Sequence, residues 1–212
     1  MRGDTLIRAL QHAPNLVAAD GGADRVVGLG HRPDLVIGDM DSLSDTLRDS
    51  LSPAQLRTVT TQDTTDFDKA LALIEAPFIL AVGFSGARLD HTLAAMTTLI
   101  RHADRKIVLD TGHDLCCVLP PELTLSLPVG TRVSLFPMGR VACTSSGLRW
   151  PVEGLAFDPA GQIGTSNSTV GGPLHLTADA PRMLLLLPDG LMDAVLPALR
   201  SAPSWPPPVP AR

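Results

Sequence analysis

Short apolar or β-branched runs recur along the chain, and what separates them changes part-way. In the first half they fall at 16–19, 35–37, 57–61, 78–82 and 106–109, and the stretches between them carry apolar residues three and four apart. The runs read as strands and the spaced stretches as amphipathic helices. Helices are predicted over 5–12, 23–29, 43–51 and 90–102, with another capped by Asp63 or Thr64 and facing inward through Phe67, Ala70, Leu71 and Ile74. The run at 35–37 is short and flanked by turn residues, which suits a strand buried on both faces, as a parallel sheet requires.

Past about Thr111 helical periodicity disappears. Runs at 115–119, 123–127, 131–136, 141–144, 161–166, 174–177 and 182–187 are divided by Pro-Pro, Pro-Val-Gly, Pro-Met-Gly and Val-Gly-Gly, which predicts antiparallel strands. The fold class expected is therefore α/β. A mostly parallel, doubly wound sheet with helices on both faces occupies residues 1–112, and an all-β sandwich or barrel occupies 113–190. From Leu196 onward prolines stand at 197, 203, 206, 207, 208 and 210, so the tail 196–212 is predicted to be disordered or extended.

Composition narrows the partners. The 212 residues carry a formal net charge of -5 and no Lys/Arg run, which argues against a nucleic-acid surface. With 3% aromatic residues and no tyrosine, the core must be aliphatic. Cys116, Cys117 and Cys143 form neither a disulfide framework nor a zinc pattern, and Cys116-Cys117 reads as buried strand. No apolar run is long enough to span a bilayer and no leader follows Met1, so a soluble, cytoplasmic protein without a membrane partner is expected.

The candidate chemistry lies at the strand ends. Asp20-Gly21-Gly22 follows the first run, Gly38-Asp39-Met40-Asp41-Ser42 the second, Asp63 and Asp66 the third, and Arg88 and Asp90 the fourth. In a parallel sheet all carboxyl ends share one edge, where open α/β sheets bind ligands. Gly21 and Gly22 allow a tight turn whose N–H groups can face an anion. Asp39 and Asp41 can share a divalent cation, or Asp41 or Ser42 can simply cap the next helix. So many carboxylates together need a counter-charge, and oxygen ligands without Cys or His suggest Mg2+, with Mn2+ as an alternative. Arg88 and Lys69 nearby would suit phosphate. Asp24 and Asp34 read as turn or first-turn acids, Asp68 as a solvated helix residue, and Trp205 as outside the site.

Taken in order, Asp20-Gly21-Gly22, Gly38-Asp39-x-Asp41-Ser42, Gln62-Asp63-x-Thr65-Asp66-x-x-Lys69-Ala70-Leu71 and Gly83-x-x-Gly86-x-Arg88-x-Asp90-His91 resemble the thiamine pyrophosphokinase family. Ser146-Gly147-Leu148-Arg149-Trp150-Pro151 and Thr165-Ser166-Asn167 extend the likeness into the second half. The resemblance implies a catalytic α/β domain that binds ATP and Mg2+, a β-sandwich that completes a thiamine pocket, and a homodimer. It also implies pyrophosphoryl transfer from ATP to the thiamine hydroxyl, releasing AMP. By resemblance Asp39, Asp41 and Asp66 hold the metal, and Asp20 lies close to the nucleophile. Arg88 and Lys69, with Gly21 and Gly22, bind phosphates, while Gln62, Thr65 and Asp90 position ATP or metal-bound water. Thr165, Ser166 and Asn167 meet thiamine, and Trp150 packs near the thiazolium or else fills the sandwich core.

Two departures from the family pattern stand out. The family opens with an additional strand and glycine-rich turn, so a truncated or misassigned start is expected here. Ser168-Thr169-Val170 offers no aromatic after the Ser-Asn pair. A metal-dependent phosphohydrolase acting on a nucleotide or diphosphate would share the carboxylates without needing that pair. A non-catalytic thiamine- or nucleotide-binding regulator would be expected to lose Asp66 or Arg88, and both are present.

Overall fold

The runs that read as strands pair in two different settings. The computed structural model describes residues 3–61, 63–86 and 88–208. The chain divides into two units, 1–76 with 82–98 and 77–81 with 99–212.

In the first unit α1 (Gly3–His12) is followed by β1 (Val17–Ala19), α2 (Gly22–Gly28), β2 (Leu35–Gly38), α3 (Asp45–Ser50), β3 (Leu56–Thr58) and α4 (Asp66–Leu73). The strands form a parallel sheet in the order β1-β2-β3, with Ala18 opposite Val36 and Val36 opposite Leu56. Val36 and Ile37 are fully buried, which is why this run contains no polar alternation. Ala18, Ala23, Val36, Met40, Leu43 and Leu47 pack into one apolar cluster with Leu51. Helix α3 begins later than the apolar pattern suggests because Ser44, rather than Asp41 or Ser42, is its cap: the Ser44 hydroxyl accepts the Leu47 N–H at 3.3 Å.

β4 (Ile79–Val82) and β5 (Ile107–Asp110), which flank α5 (Leu89–Arg101) in sequence, do not extend that parallel sheet. By compactness 77–81 groups with 99–212 in the second unit, and the expectation of one sheet through residue 110 is corrected. The cause is a tight turn after β5. Gly112 takes the left-handed conformation (φ 83°), the Asp110 carboxylate accepts its N–H at 2.8 Å, and the chain returns antiparallel as β6 (Asp114–Val118).

The second unit continues with β7 (Glu122–Ser126), β8 (Arg132–Pro137), β9 (Val141–Ser146), β10 (Ala156–Phe157), β11 (Gly164–Ser168), β12 (Pro173–Ala178), β13 (Met183–Pro188) and α6 (Met192–Ser201). A six-stranded sheet runs β11-β8-β13-β6-β5-β4, and a four-stranded antiparallel sheet runs β10-β9-β12-β7. In β7 burial alternates strictly, with Leu123 and Leu125 inside and Glu122, Thr124 and Ser126 outside. β13 is central to its sheet and almost wholly buried, which accounts for four consecutive leucines. Leu135, Leu176 and Leu185 are fully buried, each contributing about 2 kcal/mol by removal from water.

The expectation of a disordered or extended tail from Leu196 is corrected as far as Ser201. Met192, Val195, Leu196 and Leu199 fall on one helical face and are buried, so α6 persists to Ser201 despite Pro197. One missing hydrogen-bond donor is outweighed by that burial. The helix end is capped by Lys106, whose ammonium donates to the carbonyls of Arg200 (2.7 Å) and Ala202 (2.6 Å). Beyond it the Trp205 indole N–H donates to the Leu119 carbonyl at 2.9 Å. Among the described residues no helix is long and apolar enough to cross a membrane.

Candidate functional site

Because β1 and β2 are parallel neighbours, Asp20 and Asp39 emerge at the same edge of the sheet. Asp20 leaves β1 in the left-handed region (φ 40°), with its N–H bonded to the Ile37 carbonyl at 2.8 Å. It is 5% exposed, and its Oδ1 has no hydrogen-bond partner. An unpartnered buried carboxylate oxygen is costly unless function requires it. Gly38 makes the approach possible: a Cβ there would lie 2.8 Å from the Asp20 Cβ. A Cβ on Gly21 would stand 3.0 Å from the Ser42 Cβ, so the Asp-Gly-Gly and Gly-Asp-x-Asp-Ser turns pack against each other through their glycines. Met40, between the two acids, is also left-handed (φ 68°) and buried, with its carbonyl held by the Arg48 guanidinium. Two strained non-glycine residues cost about 1 kcal/mol or more each, and they sit where the sheet edge must turn sharply.

Helix α4 supplies the cation. Thr65 caps it by accepting the Asp68 N–H at 3.2 Å, one residue beyond the expected cap. Lys69, whose side chain is only 4% exposed, then reaches Asp39 Oδ2 and Asp66 Oδ1, each at 3.2 Å. Burial works against its charge, but the hydrogen bonds to Asp66 and Asp39 prevail and hold the ammonium above its ordinary pKa. The Asp41 N–H, donating at 3.3 Å, and then Lys69 hold the Asp39 carboxyl below its usual range. Asp39 and Asp66 thus converge on one cationic group. Asp41 is exposed and takes part through its backbone.

Arg88 and Asp90 pair with each other, the guanidinium donating to both carboxylate oxygens at 3.2 and 2.6 Å. Both are largely exposed, and among the described residues no side-chain bond joins them to Asp39, Asp66 or Lys69. Gln62 lies outside the described residues.

Asp68 and Asp24 carry more of this arrangement than their sequence context suggests. Asp68 is buried, not solvated: its Oδ2 accepts the hydroxyls of Thr65 (2.9 Å) and Thr98 (3.0 Å). The Thr65 hydroxyl proton is therefore committed within the protein. A Thr three residues before an Asp, with the helix's apolar face already marked, is the only sequence signal that could have found the pair. Asp24 is the expected first-turn acid of α2, and it also accepts both the Ser44 N–H and hydroxyl, which lowers its pKa and fastens the acidic turn to that helix.

In the second unit Trp150 is 54% exposed, so it is not a core residue, and the Arg149 guanidinium lies 5.0 Å from its ring centre. Asn167 is buried and clamps the Trp150 backbone, accepting its N–H at 3.2 Å and donating to its carbonyl at 2.6 Å. Thr165 and Ser166 are exposed beside it. Cys116 and Cys117 are buried in β6, the Cys117 thiol pushed up to about 12 by burial, as inert strand residues should be.

Among the described residues no three His, Cys, Asp or Glu side chains are grouped as a metal cage. The donor set nevertheless fits magnesium, which is commonly held by one or two carboxylates and completed by substrate phosphates and water. Two carboxylates already gathered around a cationic head group are such a pair.

Comparison with known proteins places both units in context. The thiamin pyrophosphokinase catalytic-domain model matches residues 6–109, and the thiamin pyrophosphokinase vitamin B1 binding-domain model matches residues 121–183. Thiamine pyrophosphokinase 1 of Oryza sativa subsp. japonica is 28% identical over 198 residues, covering 77% of this chain and 75% of the relative. Thiamine pyrophosphokinase 1 of Arabidopsis thaliana is 29% identical over 191 residues, covering 74% of this chain and 72% of the relative. The crystal structure of yeast thiamin pyrophosphokinase superposes with a TM-score of 0.73 at 20% identity, over 90% of this chain and 83% of that one.

Proposed function

The chain belongs to the thiamin pyrophosphokinase family, and from that premise we propose that it transfers the pyrophosphoryl group of ATP to the hydroxyl of thiamine. The hydroxyl oxygen forms a bond to the β-phosphorus, the bond from that phosphorus to the α,β-bridging oxygen breaks, and AMP leaves with the bridging oxygen. The observation that carries the reading is Lys69 held between Asp39 and Asp66, with the unpartnered oxygen of Asp20 on the neighbouring strand end.

Each residue then has a chemical task. The Asp20 oxygen, buried and lacking a donor, accepts or orients the hydroxyl proton. Lys69 supplies fixed positive charge against the phosphates and, after the Asp41 N–H, helps hold the Asp39 carboxyl below its usual pKa. Asp39 and Asp66, with Asp41 beside them, would hold Mg2+ or Mn2+, which when bound supplies counter-charge to the phosphate oxygens. Arg88 releases Asp90 to grip phosphate; their exposed pair is weak and opens at little cost. Gly21 and Gly22 give the phosphates access to backbone N–H groups, and Asp90 and Gln62 position ATP. Thr65, its proton given to Asp68, serves the nucleotide indirectly, by fixing the first turn of α4. Trp150, Thr165, Ser166 and Asn167 belong to the thiamine side, with Asn167 acting largely through the Trp150 backbone. The reading includes a homodimer in a reducing, cytoplasmic setting, where Cys116, Cys117 and Cys143 stay reduced and buried.

The test is AMP release from ATP and Mg2+, run with and without thiamine. Thiamine-dependent AMP, lost in Asp39→Ala, is expected; phosphate release independent of thiamine would displace this reading in favour of a phosphohydrolase.

A further inference from the structure

We propose that Ser134 is a positioning residue for the thiamine side of the reaction, acting through the backbone of Ser166; this rests on the reading of Ser166 as a thiamine contact. β11 pairs antiparallel with β8, but the register slips: Gly164 faces Leu135 while Asn167 faces Val133. One strand advances three residues while the other advances two, so β11 carries an extra residue there, a bulge of the kind that re-aims a side chain. Ser166 lies inside the slip in the left-handed region (φ 64°), which a serine adopts only when its surroundings impose it.

What imposes it is Ser134, the β8 residue between the two flanking partners. Its hydroxyl oxygen accepts the Ser166 N–H at 3.0 Å, taking the place of a ladder carbonyl for a donor that the bulge has displaced. Ser134 is 6% exposed, so water does not easily replace it. Arg132 steadies the hydroxyl from the same strand, its guanidinium 3.5 Å away and itself bound to Asp114 on β6. On the other side of the bulge Asn167 is fastened to Trp150. Ser166 is therefore pinned at both flanks while its own side chain remains exposed. Ser134 touches no substrate in this scheme; it sets the direction from which Ser166 meets one.

Ser134→Ala tests this, with Ser134→Thr restoring the hydroxyl. The alanine variant should raise the thiamine KM about three- to tenfold, the worth of one buried hydrogen bond. The ATP KM should stay within about twofold, because the ATP side does not use this strand. The Ser166 amide should exchange faster with solvent, a reading that needs no turnover. The threonine variant should return all three values close to those of the wild type. An unaltered thiamine KM in an active Ser134→Ala protein overturns the proposal, as does a parallel rise in both KM values with a lowered melting temperature. An unaltered Ser166 exchange rate overturns the positioning itself. A wild-type protein that forms no AMP with thiamine overturns the underlying reading instead, and with it the substrate part of this one.

Discussion

Lys69 and Asp39, thirty residues apart in sequence, are joined by a 3.2 Å ion pair that fixes α4 to the end of β2. The lysine stem is buried while Asp39 and Asp66 are 20% and 46% exposed, so the pair presents carboxylates outward on a buried positive base. Replacing Lys69 by methionine keeps the buried length and removes the charge. Removing one partner of the pair leaves Asp39 and Asp66 without their counter-charge and should cost some stability, a loss moderated because both carboxylates are partly exposed and can be hydrated. The rate should still fall about 100-fold or more, because fixed charge at a phosphate site acts on the transition state. Thermal melting and AMP release on one preparation check this. Activity within about threefold of the wild type would remove Lys69 from the site.

The same pair sets an acid limit. Asp39 has its folded pKa below the ordinary 3.8, through the Asp41 N–H and then Lys69, and Asp24 and Asp158 are likewise lowered by hydrogen bonds. A lowered carboxylate contributes stability above its unfolded value and loses it as pH falls through the folded one. Lys69, raised above 10.5, contributes below that value and loses its share only as pH rises through its folded pKa. The melting temperature should therefore be level near neutrality and decline below about pH 4, with a second decline above about pH 10.5. Asp39→Asn should make the acid limb shallower. A melting temperature that rises on acidification would contradict the assignment.

Gly38 tests how closely the two strand ends must approach. A Cβ at that position would stand 2.8 Å from the Asp20 Cβ and 3.2 Å from its Cα, and backbone does not yield as a flexible side chain does. Gly38→Ala should cost about 1–3 kcal/mol by overpacking. It should also lower kcat more than the stability loss explains, since Asp20 is the group displaced. Gly28→Ala is the control: nothing lies within 4 Å, and alanine in a helix should stabilise by about 0.5–1 kcal/mol. Equal effects of the two substitutions in urea unfolding would show that the contact does not matter.

How far the sequence discloses this arrangement depends on the range of the interaction. Most strands and helices were legible within a few residues because their cues are local: the run at Val36 and Ile37, the apolar face of Phe67, Ala70 and Leu71, the alternation through Leu123 and Leu125. Sheet membership was not, since β5 could pair with strands on either side, and a three-residue turn around Gly112 decided for β6. The convergence of Asp39, Asp66 and Lys69 followed from parallel order and helical spacing. Burial of Asp68 did not, because its partner Thr98 lies thirty residues away on another helix. Met40 and Ser166 in left-handed conformations gave no signal at all, since neither residue type announces that geometry.

The C-terminal segment offers the last prediction, because its prolines argued for disorder and its contacts argue for a docked strap. Lys106 and Trp205 hold the same stretch from two sides: one caps the exposed carbonyls at the end of α6, the other reaches Leu119 and packs against the sandwich core. Trp205→Ala should cost about 2 kcal/mol through lost packing and one hydrogen bond. Lys106→Met should cost about 1–2 kcal/mol by leaving carbonyls without a donor. Since either change frees the same segment, the double variant should lose less than the sum of the two. Urea unfolding of the three variants measures that coupling. Strict additivity would mean that the lysine and the tryptophan stabilise separate structures, and the strap would then not behave as one cooperative piece.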